Sequence, residues 1–198
     1  TRRSSDITQT VENLIKAISV RSANDGAVAL AEHIAGSEEA FVKLMNKRSK
    51  ELGMKNTNFS NASGLPAENH YTTAYDIAIM SRELLKHEKI KGYLSVYMED
   101  LTVGKSKKSV QTMVNTNRLI KEYDGANGIK TGFTNEAKHC ISASAKRGSL
   151  QLIAVVMGVE NSKLRFTEAK RLLDYGFANY ESITLGKKGD IVGSIPIE

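Results

Sequence analysis

The sequence predicts an α+β fold, a helical lobe followed by an antiparallel sheet flanked by helices. Three observations predict it. Between residues 11 and 86, apolar side chains recur at spacings of three and four, the period of amphipathic helices. Between residues 129 and 159 the pattern changes to short runs rich in Val, Ile and Ala, with a tight turn at Arg147-Gly148-Ser149 that joins two of them antiparallel. A helical period then returns from Ser162 to Asn179, so a helix packs back on the sheet.

The elements follow in order. Val11, Leu14, Ile15 and Ile18 line one face of a first helix, and Thr10 is its expected N-cap. Ser22 to Gly26 is a cluster of cap and turn residues. The helix after it carries Ala27, Val28, Ala31 and Ile34 on its apolar face and ends at Gly36; its small residues predict a central position, because they permit close approach. Ser37 caps a third helix with Phe41, Leu44, Met45 and Leu52 inward and Gly53 at its end. Residues 55 to 72, crowded with Asn, Gly64 and Pro66, form a loop. A helix from Thr73 to about Lys86 follows, with Asp76 and Glu83 as its surface charge. Residues 96 to 116 read as a hairpin around Gly104-Lys105-Ser106. Strands are expected at 129–134, 139–146 and 150–159. The unbroken apolar run from Leu152 to Val156 predicts a strand covered on both faces. Ala169, Leu172, Leu173 and Phe177 are the expected buried stripe of the last long helix. The segment 183–198 resembles a linker entering a further β module, which leaves 1–182 as one partial domain, a helical lobe over about 7–125 and a sheet part over about 126–182.

Composition narrows the function classes. The chain has 198 residues, 40% of them apolar and 25% charged, which supports a folded core. The net charge of +6 is spread along the chain, and no basic run is interleaved with aromatics, so nucleic-acid binding is not expected. The densest basic run, Lys105 to Lys108, reads as a solvated hairpin tip. The single cysteine, Cys140, excludes a disulfide within the chain and reads as a small buried hydrophobe. His33, His70, His87 and His139 have no acid or nucleophile at useful spacing, and no metal or other cofactor is expected. No apolar stretch reaches the roughly 18 residues a membrane span needs.

Two short motifs carry chemistry. Ser22-Ala23-Asn24 is an S-x-N sequence at the entry to a small-residue helix, and Lys130-Thr131-Gly132 lies on an expected strand about a hundred residues downstream. In penicillin-recognising serine enzymes these are the second and third of three motifs, the first being S-x-x-K. Alone, S-x-N is weak: it reads equally as a helix N-cap. Order and flanks decide. The runs Phe41-Val42 to Met45-Asn46, Leu52-Gly53-Met54, Gly64-Leu65, His70-Tyr71-Thr72-Thr73-Ala74 with Asp76, Gly128 to Thr134, Ala143-Ser144-Ala145, Val155 to Gly158 and Arg165 complete a pattern along nearly the whole chain. It resembles the D-alanyl-D-alanine carboxypeptidases of the low-molecular-mass penicillin-binding protein class, serine peptidase family S11.

The resemblance implies a serine β-lactamase/DD-peptidase-like fold and a substrate, the peptidoglycan stem peptide ending in D-Ala-D-Ala. It implies that Ser22 relays a proton to the leaving amine and that Asn24 holds the substrate amide. Lys130 supplies positive charge beside Ser22, within hydrogen-bonding reach of it. Thr131 donates to the terminal carboxylate, Gly132 belongs with it to the substrate-binding strand, and the backbone N–H of Phe133 serves as an oxyanion donor. Arg165 pairs with the carboxylate, for which a guanidinium is geometrically suited; without the resemblance it reads as a helix surface charge. β-Lactams are the implied inhibitors, and the implied compartment is extracytoplasmic, with any membrane contact made outside this sequence. No serine in the chain has lysine three positions on. The nucleophile is therefore expected upstream of Thr1, with the first strands of the sheet, leaving an edge open and the chain by itself inactive. A β-lactamase of related fold is the alternative enzyme, but no E-x-x-L-N sequence is present. A non-catalytic module that recognises stem peptides or penicillin is the alternative outside enzymes.

Overall fold

In a computed structural model, the chain is described over residues 9–103 and 109–186, together with positions 189 and 193. Helix α1 (Val11–Arg21) starts at Thr10, whose hydroxyl accepts the Asn13 N–H at 3.1 Å. Helix α2 (Asn24–Ala35) stops at Gly36, where φ is 81° and a side chain would be strained. Ser37 caps α3 (Glu38–Glu51) through the Ala40 N–H, and Thr73 caps α4 (Ala74–Leu84) through the Asp76 N–H. Two short helices were not foreseen: α5 (Glu88–Leu94) and α6 (Leu119–Glu122). Strands β1 (Met98–Val103) and β2 (Ser109–Val114) pair antiparallel, as the hairpin pattern predicts; its tip at Gly104 to Lys108 lies outside the described residues, as does most of 183–198.

Strands β3 (Ala126–Thr134), β4 (Lys138–Arg147) and β5 (Leu150–Val159) form an antiparallel sheet in that order. Helix α7 (Ser162–Asn179) lies on one face, capped by the Asn161 side chain at 2.9 Å from the Leu164 nitrogen. Beneath it Ile141, Ala143, Ala145 and Ala154 of the sheet meet Phe166, Ala169 and Leu173 of the helix. Burying each large apolar side chain of this kind contributes about 1.5–3 kcal/mol. The opposite face packs on α4 and α5 through Leu85, Leu94, Ile129 and Ile153. The apolar run of β5 is explained by this arrangement: Leu152 and Val156 turn toward α7, Ile153 toward the other layer. Among the described residues no further strand pairs with the outer edge of β3 or of β5.

Several expectations are corrected. Helix α2 is peripheral, not central, with α1 and α3 as its principal neighbours, and Ile34 is 60% exposed. Leu44 and Leu172 are also about half exposed, because each lies at the margin of its helix's apolar stripe. The end of α1 abuts the segment after β2, where the Thr116 N–H donates to the Val20 carbonyl at 3.3 Å. Asp76 is not surface charge. It is 1% exposed and accepts from the Asn56 N–H and the Thr57 hydroxyl, both at 2.8 Å, pinning the start of the 55–72 loop. The other side of that loop is held by Asn46, whose amide bonds both the N–H and the carbonyl of Phe59. No described helix is long and apolar enough to cross a membrane.

Candidate active site

The S-x-N sequence occupies the α1–α2 corner. Ser22 closes α1 in the left-handed conformation, φ 60° and ψ 46°, and its N–H donates to the Ile18 carbonyl at 3.0 Å. A non-glycine residue in that region is uncommon and is found where the surroundings impose it. The N-cap of α2 is Ala23, which offers no side-chain cap, and Asn24 is already helical. The simple capping role thus fails for both residues. Among the described residues neither the Ser22 hydroxyl nor the Asn24 amide makes a hydrogen bond within the chain, and both residues are exposed.

A strut connects this corner to the K-T-G strand. Asn115 donates through its side chain to the Val96 carbonyl, and its Oδ1 accepts from the Asn117 N–H, both at 2.8 Å. Asn117 is fully buried; its Nδ2 reaches the Gly128 carbonyl of β3 at 2.9 Å and its Oδ1 caps Leu119. Between them Thr116 donates its N–H to Val20 and shares a 2.6 Å hydroxyl contact with Thr131. Residues far apart in sequence therefore meet through a short chain of bonds, Val20 to Thr116 to Thr131. Sequence reading missed this strut; its signal was the Asn115-x-Asn117 spacing after a strand, two buried amides that only a tertiary partner could satisfy.

On β3, Lys130 is half-buried and donates from Nζ to the Thr131 carbonyl at 2.9 Å. It does not bond to Ser22, so the expected direct contact is absent; the ammonium is held along its own strand instead. Burial, and to a lesser degree the neighbouring Arg165 charge, pulls its pKa down to about 8. Thr131 is buried, whereas Gly132 is exposed and a Cβ there would meet nothing within 4 Å, so open space lies before the strand. Phe133 is exposed and its ring stacks on His139, its cross-strand partner, at 4.5 Å. Cys140 is half-buried, with Sγ 3.2 Å from the Ala137 carbonyl.

Arg165 corrects its surface-charge reading. It is 8% exposed, and its Nη1 donates to the Gly132 carbonyl at 3.1 Å and the Cys140 carbonyl at 3.4 Å, while its buried Nε has no partner. Burial holds the guanidinium below its ordinary range, opposed by Cys140 and reinforced by Arg118. Among the described residues neither Lys130 nor Arg165 is in an ion pair. Two desolvated cations without a carboxylate are costly, and an anion arriving at this strand would relieve both.

A helical lobe whose S-x-N corner is tied through Thr116 to the K-T-G edge strand, backed by a buried arginine on the closing helix, is the layout of a penicillin-recognising serine peptidase domain. Residues 2–161 match the family model of D-alanyl-D-alanine carboxypeptidases, and the chain belongs to that family. It is 48% identical over 189 residues to the D-alanyl-D-alanine carboxypeptidase DacF of Bacillus subtilis, covering 96% of this chain and 48% of that protein. It is 36% identical to DacA of Escherichia coli K12, covering 94% of this chain and 45% of the relative. Among solved structures, the D-alanyl-D-alanine carboxypeptidase DacD of Francisella tularensis superposes with a TM-score of 0.82 at 30% identity, over 90% of this chain and 54% of the other. Penicillin-binding protein D2 of Listeria monocytogenes, in its cefotaxime-bound form, superposes with a TM-score of 0.76 at 31% identity, over 88% and 69%. The chain spans about half the length of the curated relatives it matches.

Proposed function

We propose that the whole protein is a serine-type D-Ala-D-Ala carboxypeptidase that cleaves peptidoglycan stem peptides outside the cytoplasm through an acyl-enzyme, and that β-lactams acylate it. The observation that carries this reading is the unneutralised pair Lys130 and Arg165, which bond the successive Thr131 and Gly132 carbonyls of an edge strand with open space at Gly132. A C-terminal carboxylate satisfies that site: Thr131 donates its hydroxyl, and Lys130 and Arg165 supply charge.

The unengaged side chains of Ser22 and Asn24 stand at the α1–α2 corner that the strut ties to Thr131. In this reading Ser22 relays the proton to the leaving amine, and Lys130, with its pKa near 8, exchanges protons readily at neutral pH. The Phe133 N–H stabilises the oxyanion. The nucleophile and its lysine come from residues that are not in this sequence, so the chain by itself binds a carboxylate but forms no acyl-enzyme.

The test is the response of Arg165→Ala in the whole protein to two peptides, one ending in D-Ala-D-Ala with a free carboxylate and one amidated. Losing a charge-assisted bond costs about 1.5–3 kcal/mol, roughly a tenfold to hundredfold fall in kcat/KM, for the free acid alone. Equal loss for both peptides removes Arg165 from the site.

A further inference from the structure

We propose that Thr116 is a positioning residue of the carboxylate site: its hydroxyl donates to the Thr131 hydroxyl and so turns the Thr131 proton toward the substrate's terminal carboxylate. This rests on the reading of Lys130, Thr131 and Arg165 as that site.

The two hydroxyl oxygens lie 2.6 Å apart, at the short end of the hydrogen-bond range. Each hydroxyl has one proton and two lone pairs, so one proton lies between the oxygens and the other points away. If Thr131 donates to Thr116, its proton is used and an incoming carboxylate meets only lone pairs. If Thr116 donates to Thr131, the Thr131 proton is free for the carboxylate. A hydroxyl that accepts one bond also donates a stronger one, because successive dipoles polarise each other. Among the described residues neither hydroxyl has another partner, so nothing there competes for the Thr116 proton. An anion at Thr131 therefore selects the second arrangement, in which both protons are bonded. Lys130 and Arg165 carry donors whatever surrounds them. Thr131 is a donor toward the site only while its proton is not given to Thr116.

Both hydroxyls are held in place. Asn115 and Asn117, on either side of Thr116, are buried, and their side chains donate to the Val96 carbonyl at 2.8 Å and the Gly128 carbonyl at 2.9 Å. The Asn115 Oδ1 also accepts the Asn117 N–H at 2.8 Å, closing a turn around Thr116. The Thr116 N–H donates to the Val20 carbonyl at 3.3 Å, which ties the same residue to the end of α1. On β3, Lys130 and Arg165 bond the Thr131 and Gly132 carbonyls and fix the strand from which the Thr131 hydroxyl projects. Thr131 is 8% exposed, so bulk water competes weakly for its proton. Threonine is β-branched and stiff about its first side-chain torsion, which further limits where the Thr116 hydroxyl can turn. Thr116 thus acts on the substrate through Thr131.

The test is made on the whole protein with two peptides, one ending in D-Ala-D-Ala with a free carboxylate and one amidated, and reads the ratio of their kcat/KM values. Both values come from one preparation, so the ratio does not depend on the fraction that is folded. Thr116→Val removes the hydroxyl and keeps the shape and the N–H. The ratio should fall about two- to tenfold, the range of one hydrogen bond. Thr116→Ser should restore it. Thr131→Val should also lower the ratio, and the double valine variant should be no lower than Thr131→Val alone, since one residue acts through the other. An unchanged or higher ratio in Thr116→Val overturns the proposal while leaving the carboxylate site standing. A serine variant that does not recover, or a double variant lower than Thr131→Val, overturns it as well. If Thr131→Val itself leaves the ratio unchanged, the carboxylate site fails and the role of Thr116 with it.

Discussion

Lys130 is the residue at which the structure predicts most sharply. Its ammonium is held at a pKa of about 8 against an ordinary 10.5, mainly by burial. A lowered lysine pKa opposes folding wherever the native ammonium is charged. Below pH 8 both states carry the proton and the full penalty is present. Between pH 8 and 10.5 the unfolded chain binds more protons than the native one, so stability rises with pH; above 10.5 both are neutral and the penalty is gone. The difference corresponds to about 3 kcal/mol. Lys130→Met keeps the stem and removes the charge, and it forfeits the bond to the Thr131 carbonyl, worth about 1 kcal/mol. The variant should be more stable than the parent chain by about 2 kcal/mol at pH 7, a rise of about 4–8 °C in Tm. The gain should fade above pH 8 and vanish or reverse by pH 10.5. Urea unfolding followed by circular dichroism at pH 7, 9 and 10.5 measures it. A variant less stable than the parent at pH 7, or an advantage that ignores pH, refutes the account of Lys130 as a desolvated and unpaired cation.

Three further perturbations test the frame around the site. Ser81 and Ser142 share a buried 2.7 Å hydroxyl bond between α4 and β4, so either alanine variant leaves an orphan hydroxyl and should cost about 1–3 kcal/mol, with the double variant costing less than the sum in a denaturation cycle. Asp76→Ala strips the Asn56 N–H and the Thr57 hydroxyl of their acceptor; about 3 kcal/mol should be lost, and hydrogen exchange should show residues 55–59 opening first. Gly125→Ala combines a φ of 78° with a Cβ driven into the Lys146 carbonyl, and should cost more than 3 kcal/mol, whereas Gly36→Ala, with φ 81° and open space, should cost only about 1–2 kcal/mol by thermal melts.

The architecture was legible because its signals are local. Thr10 and Ser37 cap the helices they were expected to cap, and the turn at Gly148 joins β4 to β5 as the sequence pattern requires. The motif residues were legible as types in order, yet their connections were not. Nothing near Thr116 in sequence signals that its hydroxyl meets Thr131, and Asp76 looks like any helical acid until the loop folds onto it. Arg165 shows the same limit: its position on α7 gives a charge, but only the tertiary fold places its Nη1 on two strand carbonyls. Apolar stripes misled at their margins, where Leu44 and Leu172 share the helical period but miss the contact.

We propose that this chain carries the relay and carboxylate half of a penicillin-reactive site whose nucleophile lies elsewhere in the protein. Intact-mass spectrometry after incubation with benzylpenicillin tests it directly, on this chain and on the whole protein. The whole protein should gain one penicilloyl group per molecule, more slowly when Ser22→Ala or Lys130→Ala is introduced, and the 198-residue chain should keep its mass. A stoichiometric adduct on Ser22 of this chain, or a whole protein that penicillin leaves unmodified, would contradict it.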